Sequence, residues 1–202
     1  TFVTAAKALV RSITDIDSEA GLSEVVVLAD ENANPAFVAA EMLAQAEHDE
    51  EATAVLITTS RTLVEAVEDR LSDETEKLPR KEIIKKSLQA QGAAIVTRDL
   101  DEAIALTNLF APEHLSIQVE DIDTTADKIT HAGAMMLGPM TPVAVGDYYA
   151  GPNHILPTNR RARFSSPLTA EDFRKVTSIL QYSEQRLKNE AESIMIFAET
   201  EN

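Results

Sequence analysis

Histidine, carboxylate and amide side chains recur in this sequence at spacings suited to chemistry. Glu41, Gln45 and His48 stand at i, i+4 and i+7, which places them on one face of a helix. An imidazole nitrogen and an amide oxygen three residues apart can converge on one zinc ion, so Gln45 and His48 are candidate ligands. The chain has no cysteine, so any metal must be held by nitrogen and oxygen. The plainer alternative is a solvated polar face near a helix end, where the macrodipole favours a histidine. Ala111-Pro112-Glu113-His114-Leu115 sets a carboxylate beside an imidazole after a proline, a base and an acid presented together. Its alternative is a helix-terminal histidine with a charged neighbour. Asp147 lies between glycines at 146 and 151, whose missing side chains permit close backbone approach to a ligand. A turn in which Asp147 and Asn153 bond their own backbone is the commoner use of such residues. Gly21-Leu22-Ser23-Glu24 reads by itself as turn chemistry, and His131 and His154 find no partner by spacing.

These groups need elements to position them. Val25 to Ala29, Ala54 to Thr58 and Ala93 to Thr97 are short continuous apolar runs, the mark of strands buried on both faces. Between the first two, Asn34 caps a helix that opens on Pro35 and runs through Phe37 to His48. A helix carrying Leu63, Val67 and Leu71, then a charged one from about Pro79 to Gln89, lead to the third run. Asp99 and Glu102 form a capping box for a helix through about Phe110. Leu115 to Val119 is a further strand, followed by a short helix to about His131 and then Ala134 to Leu137. Strands alternating with helices imply βαβ units, so the fold class is α/β: a Rossmann-like parallel sheet covered by helices. From Gly138 onward Pro and Gly punctuate a long loop of the kind that usually serves function. Thr169-x-x-Asp172 then signals a helical C-terminal tail.

Composition narrows the partners. A net charge of -16 over 202 residues would repel a phosphate backbone, which argues against nucleic acid and anionic membranes. No apolar run approaches the roughly 20 residues of a membrane span. No Gly-rich phosphate loop follows a strand, so no cofactor-binding residues are assigned.

Taken in order, Ala20-Gly21-Leu22-Ser23-Glu24-Val25, Gln45-Ala46-Glu47-His48, Phe110 to Leu115, Thr141-Pro142 with Gly146-Asp147-Tyr148, Ala150 to Thr158 and Ala162-Arg163-Phe164-Ser165 resemble the signatures of the histidinol dehydrogenases. The resemblance runs from Thr1 to about Glu201. It implies oxidation of L-histidinol to L-histidine through an aldehyde in two NAD-dependent steps, with zinc at the substrate site, in a cytoplasmic homodimer. It implies Gln45, His48 and Asp147 as zinc ligands, and Glu113 and His114 as the catalytic acid–base pair. It implies substrate contacts from Ser23, Gln45, His48, His114, Asp147 and Glu201. By the same resemblance, residues 1–20 end a nucleotide-binding domain, 21–168 form the catalytic zinc domain and 169–202 a helical tail. NAD would be bound mainly by a part upstream, and a fourth zinc ligand would lie beyond Asn202, so this piece alone is expected to be inactive. Leu22 stands where the family has Pro, Asn159-Arg160-Arg161 replaces a smaller stretch, and Pro167 stands where Gly is usual. Two other readings stay open: a homologous dehydrogenase of another small polar alcohol, or a zinc-binding or dimerisation module without catalysis.

Overall fold

The structure, a computed structural model, describes residues 2–18 and 21–201. The chain divides into two compact units, Thr1–Thr169 and Ala170–Asn202. In the first, helix α1 (Phe2–Val10) precedes an alternation of strands and helices. Strands β1 (Glu24–Ala29), β2 (Thr53–Thr58), β3 (Gly92–Val96), β4 (His114–Gln118) and β5 (Ala134–Leu137) pair in the order β3-β2-β1-β4-β5. Every pairing is parallel. The order reverses between β1 and β4, as in doubly wound sheets. The three apolar runs become β1, β2 and β3, but β3 lies at the sheet edge and is largely exposed, contrary to the expectation that it is buried on both faces. β1 is buried along its whole length, because helices cover both faces of it.

Helices α2 (Pro35–Ala46) and α3 (Arg61–Thr75) cover one face, with Val25, Val27, Val38, Met42, Leu56 and Val67 packed between. Helix α4 (Lys81–Gln91) seals the end of α2 through Leu43, Ala46 and Ile84. Helices α5 (Leu100–Phe110) and α6 (Ile122–Asp127) flank the opposite face, where Val26, Leu28, Val55, Ile57, Leu115 and Ile117 meet Ala103 and Ile104. Local chemistry starts these helices. The Asn34 side chain accepts from the Ala36 N–H, Ser60 from Leu63, and Asp99 from Glu102. The box at Asp99 closes on one side only, since the Glu102 carboxylate accepts from the Arg98 N–H.

Four boundaries depart from expectation. α2 stops at Ala46, so His48 sits in the following turn, off the helical face shared by Glu41 and Gln45. The short helix α6 ends at Asp127, four residues before His131. Asp147 lies in a two-turn helix, α7 (Val143–Tyr148), inside the stretch read as loop. Thr169-x-x-Asp172 yields a 3-10 turn (Ala170–Phe173), and the tail helix α8 (Glu184–Thr200) starts at Ser183, whose hydroxyl accepts from Arg186 N–H. Among the described residues no helix is long and apolar enough to cross a membrane.

Candidate active site

The site lies where β1 and β4 begin. Val25 pairs with His114, so Glu24 and Glu113 face each other at the heads of the two central strands. The chain reaches that point from α5 through Ala111, a buried residue at φ 53°. A left-handed alanine costs of order 1–2 kcal/mol, strain of the kind stored where geometry is over-determined. It swings the chain into Pro112-Glu113-His114 without a longer loop. A Cβ on Gly133 would stand 2.6 Å from the Glu113 carbonyl oxygen, so a side chain there would push the Glu113 backbone out of place.

Glu113 and His114 are both buried, at 7% and 4% exposure, in a position where an unpartnered charge would be costly. Their partners are specific. Glu113 Oε2 accepts from the Ser23 hydroxyl at 2.7 Å and from the Glu24 N–H at 3.0 Å. His114 Nδ1 lies 3.2 Å from the Glu24 carbonyl and 3.5 Å from Glu113 Oε2. An acceptor carbonyl holds the proton on Nδ1 and leaves Nε2 as the basic nitrogen. That Nε2 is buried without a hydrogen bond and lies 3.5 Å from the Asp147 carboxylate. A buried, unbonded imidazole nitrogen is the site's largest unmet demand.

α2 and α7 close over this nitrogen. Glu41 Oε2 accepts from the Val143 N–H at 3.2 Å, tying α2 to the first turn of α7. Burial raises the Glu41 pKa; the Val143 hydrogen bond and His114 pull it down, and the Asp147 carboxylate pushes it up. One turn on, the Gln45 amide is buried with its Nε2 unpartnered. His48 is exposed, and its backbone carbonyl accepts from Arg80 at 3.3 Å. His154, which spacing left alone, lines a cavity of about 140 Å³ together with Asp147. Asn153 makes the anticipated local turn, its Oδ1 accepting from the Ile155 N–H. The backbone N–H of His131 donates to the Asn108 side chain. Glu201 caps α8 in the second unit. Among the described residues no three His, Asp or Glu side chains are grouped to hold a metal ion.

Two acidic residues escaped the sequence reading as site residues, Glu24 and Glu41. Glu24 is a lone carboxylate heading an apolar strand, and Glu41 shares its helical face with Gln45; those were the available signals. Burial pushes the Glu24 carboxyl from 4.5 up to about 7, the charge of Glu113 adding to the rise and N–H groups of Glu113 and Asn159 opposing it. Since the folded value lies above the unfolded one, this contribution to stability is whole below about pH 4.5 and fades as pH rises through about 7. The shift corresponds to roughly 3 kcal/mol. Urea midpoints at pH 5 and pH 8 should therefore fall with rising pH, and E24Q should flatten that fall. An unchanged slope in E24Q would mean that the carboxyl titrates normally.

A five-stranded doubly wound sheet with a buried Glu–His pair at the head of β4 defines an α/β protein whose site lies at the amino ends of its strands. This is the end opposite the one where open sheets usually bind ligands. The model of the family described as histidinol dehydrogenase matches residues 1–202, and the chain belongs to that family. It is 48% identical over 200 residues to the histidinol dehydrogenase of Heliobacterium mobile, covering 99% of this chain and 47% of that protein. The enzyme of Gloeobacter violaceus is 51% identical over 193 residues, covering 96% of this chain and 43% of that protein. The crystal structure of histidinol dehydrogenase from Elizabethkingia anophelis matches with a TM-score of 0.94 at 38% identity, over 100% of this chain and 46% of that one. The chain thus spans about half the length of the curated relatives that it matches.

Proposed function

We propose that this chain supplies the acid–base and metal-binding part of a histidinol dehydrogenase, an NAD-dependent enzyme of histidine biosynthesis acting as a cytoplasmic homodimer. The observation that carries this reading is His114, held from behind at Nδ1 and unbonded at Nε2 beside Asp147. Nε2 is the base that takes the alcohol proton of histidinol as hydride departs. Glu113 then draws a proton from the water that adds to the aldehyde. Its Oε2 is occupied by Ser23 and Glu24, and no described hydrogen bond occupies Oε1, which is the oxygen for that water. Ser23, with its proton given to Glu113, presents its lone pairs to substrate. NAD, when bound, accepts the hydride.

The residues around His114 suit a cation. Glu41 and Asp147 place two carboxylates close enough to perturb each other, and the Gln45 amide lies buried one turn on from Glu41. Gln45, His48 and Asp147 would hold zinc, with Ser23 and His114 contacting substrate. Zinc there would supply Lewis-acid anchoring of the substrate's imidazole and amine. Because the excess negative charge concentrates opposite His114, a cationic substrate amine is also favoured electrostatically.

The test is a calorimetric titration of zinc, then of L-histidinol, into this chain and into H48A. Wild type should bind histidinol only with zinc present. H48A should lose zinc affinity by about 10-fold or more, the scale found even for residues that merely support a ligand. Equal zinc affinity in the two proteins would remove His48 from the ligand set.

A further inference from the structure

We propose that Glu24 is the positioning residue of this site, holding Glu113 and His114 in one register through its carboxyl, its N–H and its carbonyl. The inference rests on reading that pair as the acid–base machinery. Three bonds carry it. Glu24 Oε1 accepts from the Glu113 N–H at 3.2 Å, the Glu24 N–H donates to Glu113 Oε2 at 3.0 Å, and the Glu24 carbonyl meets His114 Nδ1 at 3.2 Å.

The arrangement is a reciprocal exchange that replaces the missing end of a strand ladder. β4 begins at His114, so the Glu113 N–H lies just before the first paired residue. A buried N–H without an acceptor would be costly there, and the Glu24 side chain supplies one. In return the Glu24 N–H fixes one oxygen of the Glu113 carboxylate, which leaves the other to react. Nothing in β1 otherwise asks for a carboxyl: the other five residues are Val25, Val26, Val27, Leu28 and Ala29, all fully buried. A glutamate at 8% exposure heading such a strand is an expensive choice unless its geometry is used. Burial raises the pKa of this carboxyl, and the charge of the facing Glu113 adds to the rise.

The role belongs to an acceptor at a given reach. Gln keeps the carbonyl oxygen at the same distance from the backbone, Asp keeps the charge one methylene short, and Ala keeps neither. The full-length native protein would be prepared as wild type, E24Q, E24D and E24A. Two quantities would be read: steady-state histidinol oxidation, and hydrogen exchange of the Glu113 amide against the core amides of Val26 and Leu56. In E24A and E24D the Glu113 amide should exchange at least about 10-fold faster, with core amides unchanged. In the same variants kcat should fall by about 10- to 100-fold with KM within about twofold, the cost of a slightly misplaced catalytic group. E24Q should hold both readouts within about threefold. E24D serves if E24A does not fold. Unaltered Glu113 exchange in E24A and E24D would overturn the proposal, as would E24D holding both readouts while E24Q loses them. Loosened exchange in a protein whose wild type does not oxidise histidinol would leave the positioning intact and sink the catalytic reading instead.

Discussion

Replacing His114 with Asn should lower kcat for alcohol oxidation by about 10²- to 10⁴-fold, the span of a well-placed general base. The amide N–H of Asn can still reach the Glu24 carbonyl that His114 Nδ1 meets, so the backbone around β4 should stay in place. What disappears is the basic nitrogen facing Asp147. Zinc content should not change, because His114 is outside the proposed ligand set. E113Q should behave differently, slowing the aldehyde-to-acid step more than the first, since only that step needs an activated water. Single-turnover traces started from histidinol and from the aldehyde separate the two. Equal losses in both steps for both variants would show that the roles are not divided between Glu113 and His114.

Leu28→Ala should cost about 3–5 kcal/mol of folding stability, within the range for emptying a well-packed leucine site. Leu28 is fully buried in the middle strand and packs in one cluster with Val26, Ile57, Ala103, Leu115 and Ile117. Both faces of the sheet are fixed by helices, so the cavity has little room to collapse. The loss is a large fraction of the ~5–15 kcal/mol that holds an ordinary domain together. It should also loosen the site, because the same strand carries Glu24 at its head. Urea denaturation of this chain followed by circular dichroism measures it. A loss below about 1 kcal/mol would mean that the sheet is not packed as described.

β1 and β2 were legible as apolar runs because strands buried on both faces are apolar at nearly every position, while β3 and β5 keep an apolar composition although they lie largely exposed at the sheet edges. Helix starts were legible where a side-chain cap announces them, at Asn34 and Asp99. Helix ends were not. Nothing in Glu47-His48 forbids another turn, and no glycine follows to stop α2, so its end had to come from tertiary context. The same is true of α7, which starts after Pro142 with no side-chain cap. Thr169 and Asp172 show the converse, a capping pattern that captures only a 3-10 turn. At the site, Glu113 and His114 were visible because they are adjacent and follow a proline. The partners of Glu24 and Glu41 were not, since they lie 89 and 102 positions away, beyond any local periodicity. Ser23 was carried only by resemblance, and its bond to Glu113 spans 90 positions. Contacts of that range become readable only after the sheet order brings β1 beside β4.

The central claim is that this chain holds the base for histidinol oxidation. It is tested most directly by spectrophotometric assay of the full-length native protein with zinc, NAD and L-histidinol, beside its H114N variant. Two NADH should form per histidinol consumed, and that signal should fall by at least about 100-fold in H114N with zinc content intact. A folded, zinc-loaded wild type that forms no NADH from histidinol would contradict it, and so would an H114N variant that oxidises histidinol at the wild-type rate.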